Sequence, residues 1–207
     1  SFPTRRSSDL GSTETVELKA ATYYVKETKA PKGFQLDKNV YTLTVKAGET
    51  ATLKVSDTPK VTDTLIELFK IDMETSKADP QDNASLEDAE FVWKYYDGYY
   101  TKDNLPAEPT RTWTTKTKAE KGSDNAIHYI TRLADSYKVS GDSFYTQNGT
   151  VCLPLGTITV EEKSAPNGYL LEGAYMQAAG SSEQIKGLYV AQITEDGELA
   201  VLSGSNQ

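Results

Sequence analysis

TVEEKSAPNGY, at Thr159–Tyr169, and YVKETKAPKGF, at Tyr24–Phe34, are two versions of one pattern. When they are aligned on Ala-Pro, a glutamate stands three residues earlier in both, Glu162 in one and Glu27 in the other. In both copies, Ala-Pro is followed by one variable residue, then a glycine and an aromatic residue. This is a turn signature, because proline fixes φ and glycine accepts a positive φ. A strand, an acidic residue and a turn repeated at one spacing predict tandem copies of a single module.

Short alternating segments surround the first copy of this pattern. Thr22–Glu27, Tyr41–Lys46 and Ala51–Ser56 each alternate aromatic or β-branched residues with polar ones, as half-buried strands do. The loop at residues 47–50 contains a glycine, so we expect the second and third segments to form a β-hairpin.

The second half of the chain repeats this strand-and-turn character over a longer stretch. We predict strands at Leu65–Asp72, Leu86–Val92, Trp93–Thr101, Thr157–Glu162, Gly187–Ile193 and Glu198–Leu202. Ile127–Leu133 fits either a strand or a short helix, because Ile127, Ile130 and Ala134 also have helical spacing, and we favour the strand. Asp-Gly pairs at 97–98 and 196–197 predict hairpins, and Thr110–Lys121 is predicted to be an irregular connection. No segment carries a sustained 3.6-residue apolar period, so the predicted fold class is all-β.

A polar bridge at Lys60–Thr64 follows the segment Ser-Asp-Thr-Pro, where proline ends a strand pattern because it cannot donate to a ladder. We place a domain boundary in this bridge. Residues 13–60 are then the C-terminal part of one domain, truncated at its N-terminus. Residues 64–207 are a second domain, whose completeness at the C-terminus stays open. Residues 1–12 lack periodicity, and we interpret them as a non-native, adapter-derived tail.

Composition excludes several functional classes. The 207 residues carry 22 basic and 30 acidic side chains, for a net charge of −8, whereas nucleic-acid binding needs a basic surface. No apolar run approaches the length of about 20 residues that a membrane helix needs. One histidine and one cysteine exclude a disulfide framework and a His/Cys metal cluster. We therefore expect no cofactor, no membrane insertion and no enzyme with turnover.

Three elements of the second half share their order with one protein family. Lys70-Ile71-Asp72 matches a strand with Lys-x-Asp, Asp88–Phe91 loosely matches a Gly-Ala-x-Phe-like element, and residues 162–169 match Glu-x-x-Ala-Pro-x-Gly-Tyr. Together they resemble the prealbumin-like, collagen-adhesin B-type domains of Gram-positive surface proteins and pilins, known as the SpaA type. The resemblance implies tandem prealbumin-like or Ig-like β-sandwich modules that form a structural or adhesive stalk on a Gram-positive cell surface or pilus.

The same resemblance implies an autocatalytic amide (isopeptide) bond between a strand lysine and an asparagine or aspartate of the last strand. Burial lowers the pKa of a lysine, which makes the neutral amine available as a nucleophile, and a buried glutamic acid can protonate the target carbonyl. In the second domain Lys70 fits the donor and Glu162 the acid. Asn206 lies near the C-terminus but without the family's Asn-x-Pro context. In the first domain Glu27 fits the acid and Asp57 an acceptor, and the donor would lie upstream.

Two alternatives stay open. One is that Lys70 is an exposed lysine at a strand edge, and that Glu27 and Glu162 only stabilise turns. The other is a carbohydrate-binding module, because aromatic faces stack on sugar rings. Its platform would be Trp93, Tyr95, Tyr96, Tyr99 and Tyr100. An ordinary hairpin with tyrosines alternating between core and surface also explains that run, and we favour it over the platform.

The resemblance also implies a cellular location and a set of partners for the protein. The expected partners are neighbouring repeat domains of the same chain and a host matrix protein or glycan. The expected location is extracellular, attached to the cell wall through an anchor outside this chain.

Overall fold

The computed structural model of the chain describes residues 15–30, 34–62, 66–81, 83–194 and 201–206. The chain divides into two compact units, Ser1–Lys60 and Val61–Gln207. Regular structure in the described residues is strand apart from one short 3-10 helix at Lys102–Asn104, so the all-β prediction is confirmed. The strands are β1 (Ala21–Lys26), β2 (Phe34–Gln35), β3 (Val40–Val45), β4 (Thr58–Pro59), β5 (Val61–Thr62), β6 (Glu67–Asp72), β7 (Glu90–Tyr96), β8 (Arg111–Lys116), β9 (Lys118–Lys121), β10 (Ile127–Thr131), β11 (Lys138–Gly141), β12 (Tyr145–Gln147), β13 (Thr150–Pro154), β14 (Gly156–Ser164), β15 (Tyr175–Ala178), β16 (Ile185–Lys186), β17 (Tyr189–Ile193) and β18 (Val201–Asn206).

In the first unit, β1 pairs with β3 along its whole length, and β2 pairs with β4; both pairings are antiparallel. The turn after β3 exists, with Gly48 at φ 73°. The predicted hairpin of Tyr41–Lys46 with Ala51–Ser56 is nevertheless wrong, because β3 pairs with β1 and residues 51–56 form no strand. Alternation identifies a half-buried strand but does not select its partner.

The second unit is built from two large sheets. One has six strands in the order β16-β15-β18-β6-β10-β9, and the other has five in the order β11-β8-β7-β14-β17. A smaller sheet has the order β12-β13-β5. Within the two large sheets, β18 runs parallel to β6, whereas the other described pairings are antiparallel.

The apolar core of the second unit combines residues of both large sheets. Leu68 comes from the six-stranded sheet, and Phe91, Trp93, Trp113 and Ile158 come from the five-stranded one; all are fully buried and belong to one cluster. Each such side chain contributes about 1.5–3 kcal/mol through burial. This shared core holds the two sheets face to face.

The threonine-rich segment Thr110–Lys121 forms strands, so its prediction as an irregular connection is wrong. It contains β8, an inner strand between β11 and β7, and then β9. Its hydroxyls are satisfied inside the sandwich: Thr115 Oγ1 accepts hydrogen bonds from Trp93 Nε1 at 2.8 Å and from Thr131 Oγ1 at 2.7 Å. A β-branched residue whose hydroxyl has such partners can replace an apolar one in a core strand.

Both predicted Asp-Gly hairpins are wrong. A turn follows β7, with Gly98 at φ 125°, but the chain then passes through the 3-10 helix and pairs with β7 only as β8. The strands at the end of the chain separate, since β17 joins β14 in one large sheet and β18 joins β15 and β6 in the other. The Asp-Gly pair at 196–197 lies outside the described residues. The strands predicted at Ile127–Leu133 and Thr157–Glu162 are confirmed by β10 and β14.

Candidate functional site

Lys70 lies in the core of the second unit. Strand β6 alternates strictly, so Leu68, Lys70 and Asp72 share the face that packs on the five-stranded sheet, and all three are buried. The lysine has no solvent exposure (0%). The alternative in which Lys70 is an exposed edge lysine is therefore wrong, as β6 is an inner strand between β18 and β10.

Lys70 contacts Glu162 across the two sheets. The lysine Nζ lies 2.9 Å from Glu162 Oε2, and the glutamate side chain is only 6% exposed. Glu162 stands opposite Phe91 in the pairing of β14 with β7, and the Lys70 amine lies 5.6 Å from the centre of that ring. Burial lowers the pKa of Lys70 and raises the pKa of Glu162, although their mutual attraction opposes both shifts. These shifts favour the neutral amine and the protonated acid.

Asn206 is the third member of this cluster. It lies opposite Asp72 in the parallel pairing of β18 with β6, two residues beyond Gly204, which lies opposite Lys70. Its side chain is fully buried, and its Nδ2 donates a hydrogen bond to Leu170 O at 2.8 Å. The Asn206 side chain also acts on the pKa of Glu162, lowering it.

Two oxygens in this cluster lack hydrogen-bond partners among the described residues. They are Glu162 Oε1 and Asn206 Oδ1, and both are buried. Two buried acceptors without donors are costly, whereas one proton placed on the carboxyl group converts it into a donor. A proton on Glu162 would thus add a donor to this cluster.

Asp72 and Tyr169 make a second contact between the same two sequence motifs. Tyr169 OH donates to Asp72 Oδ2 at 2.8 Å, and Met73 N donates to Asn206 O at 2.9 Å. The Ala-Pro-x-Gly turn places Tyr169: its N–H donates to Pro166 O, and Gly168, at φ 90°, packs so closely on Ala84 that a Cβ would lie 2.8 Å from the alanine Cβ.

The candidate residues of the first unit are not brought together in the same way. Glu27 is half-buried just after β1, and its Oε2 accepts a hydrogen bond from Asp37 N at 2.7 Å. Asp57 is half-buried just before β4. Glu27 thus stabilises local backbone, and its role as an acid stays a prediction.

The aromatic run of β7 does not form a stacking platform. Trp93, Tyr95 and Tyr96 are at most 5% exposed, and Tyr95 OH donates to Leu155 O at 2.9 Å inside the core. Tyr99 is exposed, and Tyr100 is half-buried with its ring edge against Tyr96. The five-residue sugar platform fails because β7 is covered by packing on its inner face.

In the part of the chain that the structure describes, there is no helix long and apolar enough to span a membrane. Within the same residues, no three His, Cys, Asp or Glu side chains are grouped so that they could hold a metal ion.

Two solved structures resemble the chain at low identity. One is a streptococcal ancillary pilin, with TM-score 0.33 and 19% identity over 92% of this chain and 43% of the pilin. The other is a C-terminal fragment of pilus adhesin SpaC from Lactobacillus rhamnosus GG, with TM-score 0.38 and 16% identity over 93% of this chain and 78% of the fragment. The chain thus spans less than half the length of the streptococcal pilin.

Comparison with protein families gives a match in the first part of the chain. Residues 3–59 match the SpaA family, described as a prealbumin-like fold domain. The match extends into the residues interpreted above as a tail, and that interpretation stays a prediction. No curated protein matches the chain. Residues 3–59 of this chain are therefore similar to the SpaA family of prealbumin-like fold domains.

Proposed function

We propose that the chain is a non-enzymatic structural module of a Gram-positive pilus or surface protein. Its second unit is held closed by an amide bond between Lys70 Nζ and Asn206 Cγ. One observation carries the proposal: the fully buried Lys70 amine lies 2.9 Å from Glu162, with Asn206 buried on the neighbouring strand. A buried lysine and glutamate are costly to desolvate even as a pair. A reaction that consumes the amine accounts for their position.

The reaction balances without any further reagent. The neutral Lys70 amine attacks Asn206 Cγ while Glu162 gives its proton to Oδ1. The C–Nδ2 bond then breaks as one amine proton passes to Nδ2, and Glu162 regains its proton when the carbonyl re-forms. One amide bond forms, one breaks and one ammonia leaves. Glu162 is the acid and base of a single event per molecule.

The location of the bond suits a module under tension. β6 is the first long strand of the second unit and β18 the last, and the two are parallel neighbours. Tension applied through the two ends of the unit passes between these strands, and an amide bond there prevents their separation. By analogy with disulfides, closing so long a loop also stabilises the fold by about 2–4 kcal/mol.

The family of residues 3–59 supports a location and a class of partner. We place the protein outside the cell, on a Gram-positive surface, in contact with neighbouring domains or subunits of a pilus-type assembly. Attachment to the cell wall belongs to this proposal.

Intact-mass spectrometry of the 207-residue chain tests the bond. We expect a mass lower than that of the sequence by one ammonia, and a tryptic peptide that joins the segments around Lys70 and Asn206. Lys70→Met and Asn206→Ala should each restore the full mass. As a matched control, Lys163→Met removes a lysine next to Glu162 in sequence whose amine is exposed and pairs with Glu90. That variant should keep the ammonia loss.

An unmodified mass in the folded wild-type protein would overturn the cross-link. Loss of a water instead of an ammonia would move the acceptor from asparagine to a carboxylate. Retention of the ammonia loss in Glu162→Ala would remove Glu162 from the mechanism.

A further inference from the structure

The two sequence motifs of the second unit contact each other twice. Lys70 and Asp72 belong to one motif, and Glu162 and Tyr169 belong to the other. Lys70 contacts Glu162, and Asp72 contacts Tyr169. The cross-link chemistry uses the first contact and leaves the second unexplained.

The Tyr169–Asp72 contact is anchored firmly. Asp72 is 2% exposed, and its Oδ1 accepts hydrogen bonds from the backbone N–H groups of Glu74 at 2.8 Å and Thr75 at 2.9 Å. Gln81 Nε2 lies 3.1 Å from Oδ2, which also accepts from Tyr169 OH. A carboxylate with this many donors is fixed in position, so the Tyr169 hydroxyl that donates to it is held in place as well.

The residue after Tyr169 holds the acceptor amide. Leu170 O accepts the hydrogen bond from Asn206 Nδ2 at 2.8 Å, although the Leu170 side chain itself is 64% exposed. This carbonyl belongs to the residue directly after the anchored Tyr169. With Nδ2 on Leu170 O, the other atom of the planar amide, Oδ1, is the one left without a partner among the described residues.

We propose that Tyr169 and Asp72 position Asn206 for cross-linking: their hydrogen bond holds the backbone at Leu170, whose carbonyl accepts the hydrogen bond from Asn206 Nδ2 and so fixes the amide in place. The proposal rests on the function proposed above and adds a positioning pair to it. The same hydrogen bond places the departing ammonia beside a backbone acceptor.

The first experiment measures the rate of cross-linking in newly made protein. Cell-free synthesis is stopped, samples are quenched in acid at intervals, and the fraction lighter by one ammonia is read by intact mass. Tyr169→Phe keeps the ring and loses the hydroxyl. Because a hydrogen bond to a charged group is strong, we expect the rate to fall about tenfold or more. Tyr137→Phe is the matched control, since Tyr137 OH also donates to a carboxylate, that of Glu120, elsewhere in the unit. It should leave the rate unchanged.

The second experiment observes the amide directly. In a Lys70→Met background the bond cannot form, and the Asn206 side-chain NH₂ can be followed by NMR hydrogen exchange. We expect Tyr169→Phe, but not Tyr137→Phe, to accelerate that exchange about tenfold or more while backbone amides of β18 keep their protection.

The outcomes separate the two proposals. A wild-type protein that never loses ammonia overturns the cross-link, and the exchange measurement still decides the positioning role. A wild-type protein that cross-links while Tyr169→Phe does so at the same rate overturns the positioning role alone. Equal exchange of the Asn206 amide with and without Tyr169→Phe, both in the Lys70→Met background, also overturns it.

Discussion

Gly204 lies directly opposite Lys70 where β18 pairs with β6, and the space that a side chain would fill there is next to the lysine amine. A Cβ built on Gly204 would lie 3.6 Å from Lys70 Nζ, 3.6 Å from Phe91 Cζ and 3.5 Å from Leu68 Cδ2. One methyl group fits at ordinary contact distance, whereas anything larger overlaps these atoms. The lack of a side chain at Gly204 therefore leaves room for the buried Lys70 amine.

We accordingly expect Gly204→Ala and Gly204→Val to differ sharply. The alanine variant should fold and cross-link as the wild type does. The valine variant forces extra carbons against Lys70 and Phe91 and should lose about 1–3 kcal/mol of unfolding free energy, with incomplete cross-linking. Urea unfolding and intact mass on both variants check this. Complete cross-linking in Gly204→Val would contradict it.

The pH dependence of stability should reveal whether Lys70 still titrates. Burial lowers its pKa in the folded chain. Below that lowered value lysine is charged in both states, and the buried charge weakens the fold. Above the unfolded value, about 10.4, that penalty has gone, so its contribution to stability rises with pH in between.

Asn206→Ala keeps a free lysine, whereas the cross-linked wild type does not. We therefore expect this variant to gain melting temperature relative to the wild type as pH rises from neutral toward the unfolded pKa of about 10.4. Calorimetry of both proteins at matched pH measures the difference. A constant difference across that range would contradict the prediction.

Asp72 should show the opposite pH behaviour. Burial acts to raise its pKa, but hydrogen bonds from Thr75 N, Tyr169 OH and other donors hold the pKa below its usual value. The carboxylate therefore adds stability above the unfolded pKa of about 3.9, and this is lost as pH falls through the lower folded value. Asp72→Asn should cost about 1–3 kcal/mol at pH 7. The cost should shrink in strong acid, as urea unfolding at both pH values will report.

Thr115 should be essential to the five-stranded sheet despite being polar. Thr115→Val keeps the shape but leaves the buried Trp93 N–H without its acceptor, and we expect a loss of about 1–3 kcal/mol. Thr146→Val, on an exposed position of β12, is the matched control and should change stability little. Equal effects of the two substitutions in denaturant unfolding would refute this role.

Sequence motifs singled out the proposed donor and acid because both lie at fixed distances within short patterns. Lys70 stands in Lys-x-Asp, and Glu162 stands three residues before Ala-Pro. Asn206 could not be assigned with the same assurance. Its place depends on the last strand lying parallel to β6, with 206 in register with 72. Such long-range pairing is set by the whole sandwich and leaves no local pattern.

The turn signals showed where the chain bends but not what it pairs with. Asp97-Gly98 ends β7, yet the partner strand begins only at Arg111, after an excursion through a 3-10 helix. Thr114, Thr115 and Thr117 fall in the segment predicted to be an irregular connection, since sequence alone does not reveal that buried hydroxyls have partners. The aromatic residues of β7 left a sugar platform open as an alternative, because the sequence does not show the facing sheet that buries them.

The parallel pairing of β6 with β18 has a consequence for how such a unit can diversify. If Lys70 and Asn206 are joined, the strands and loops between them carry no tension. The loops at 97–110 and 170–174 then lie outside the segment that must resist pulling. Substitutions and insertions in them would alter what the surface recognises without weakening the mechanical connection between the ends of the unit. One cross-linked frame could in this way carry many different surfaces.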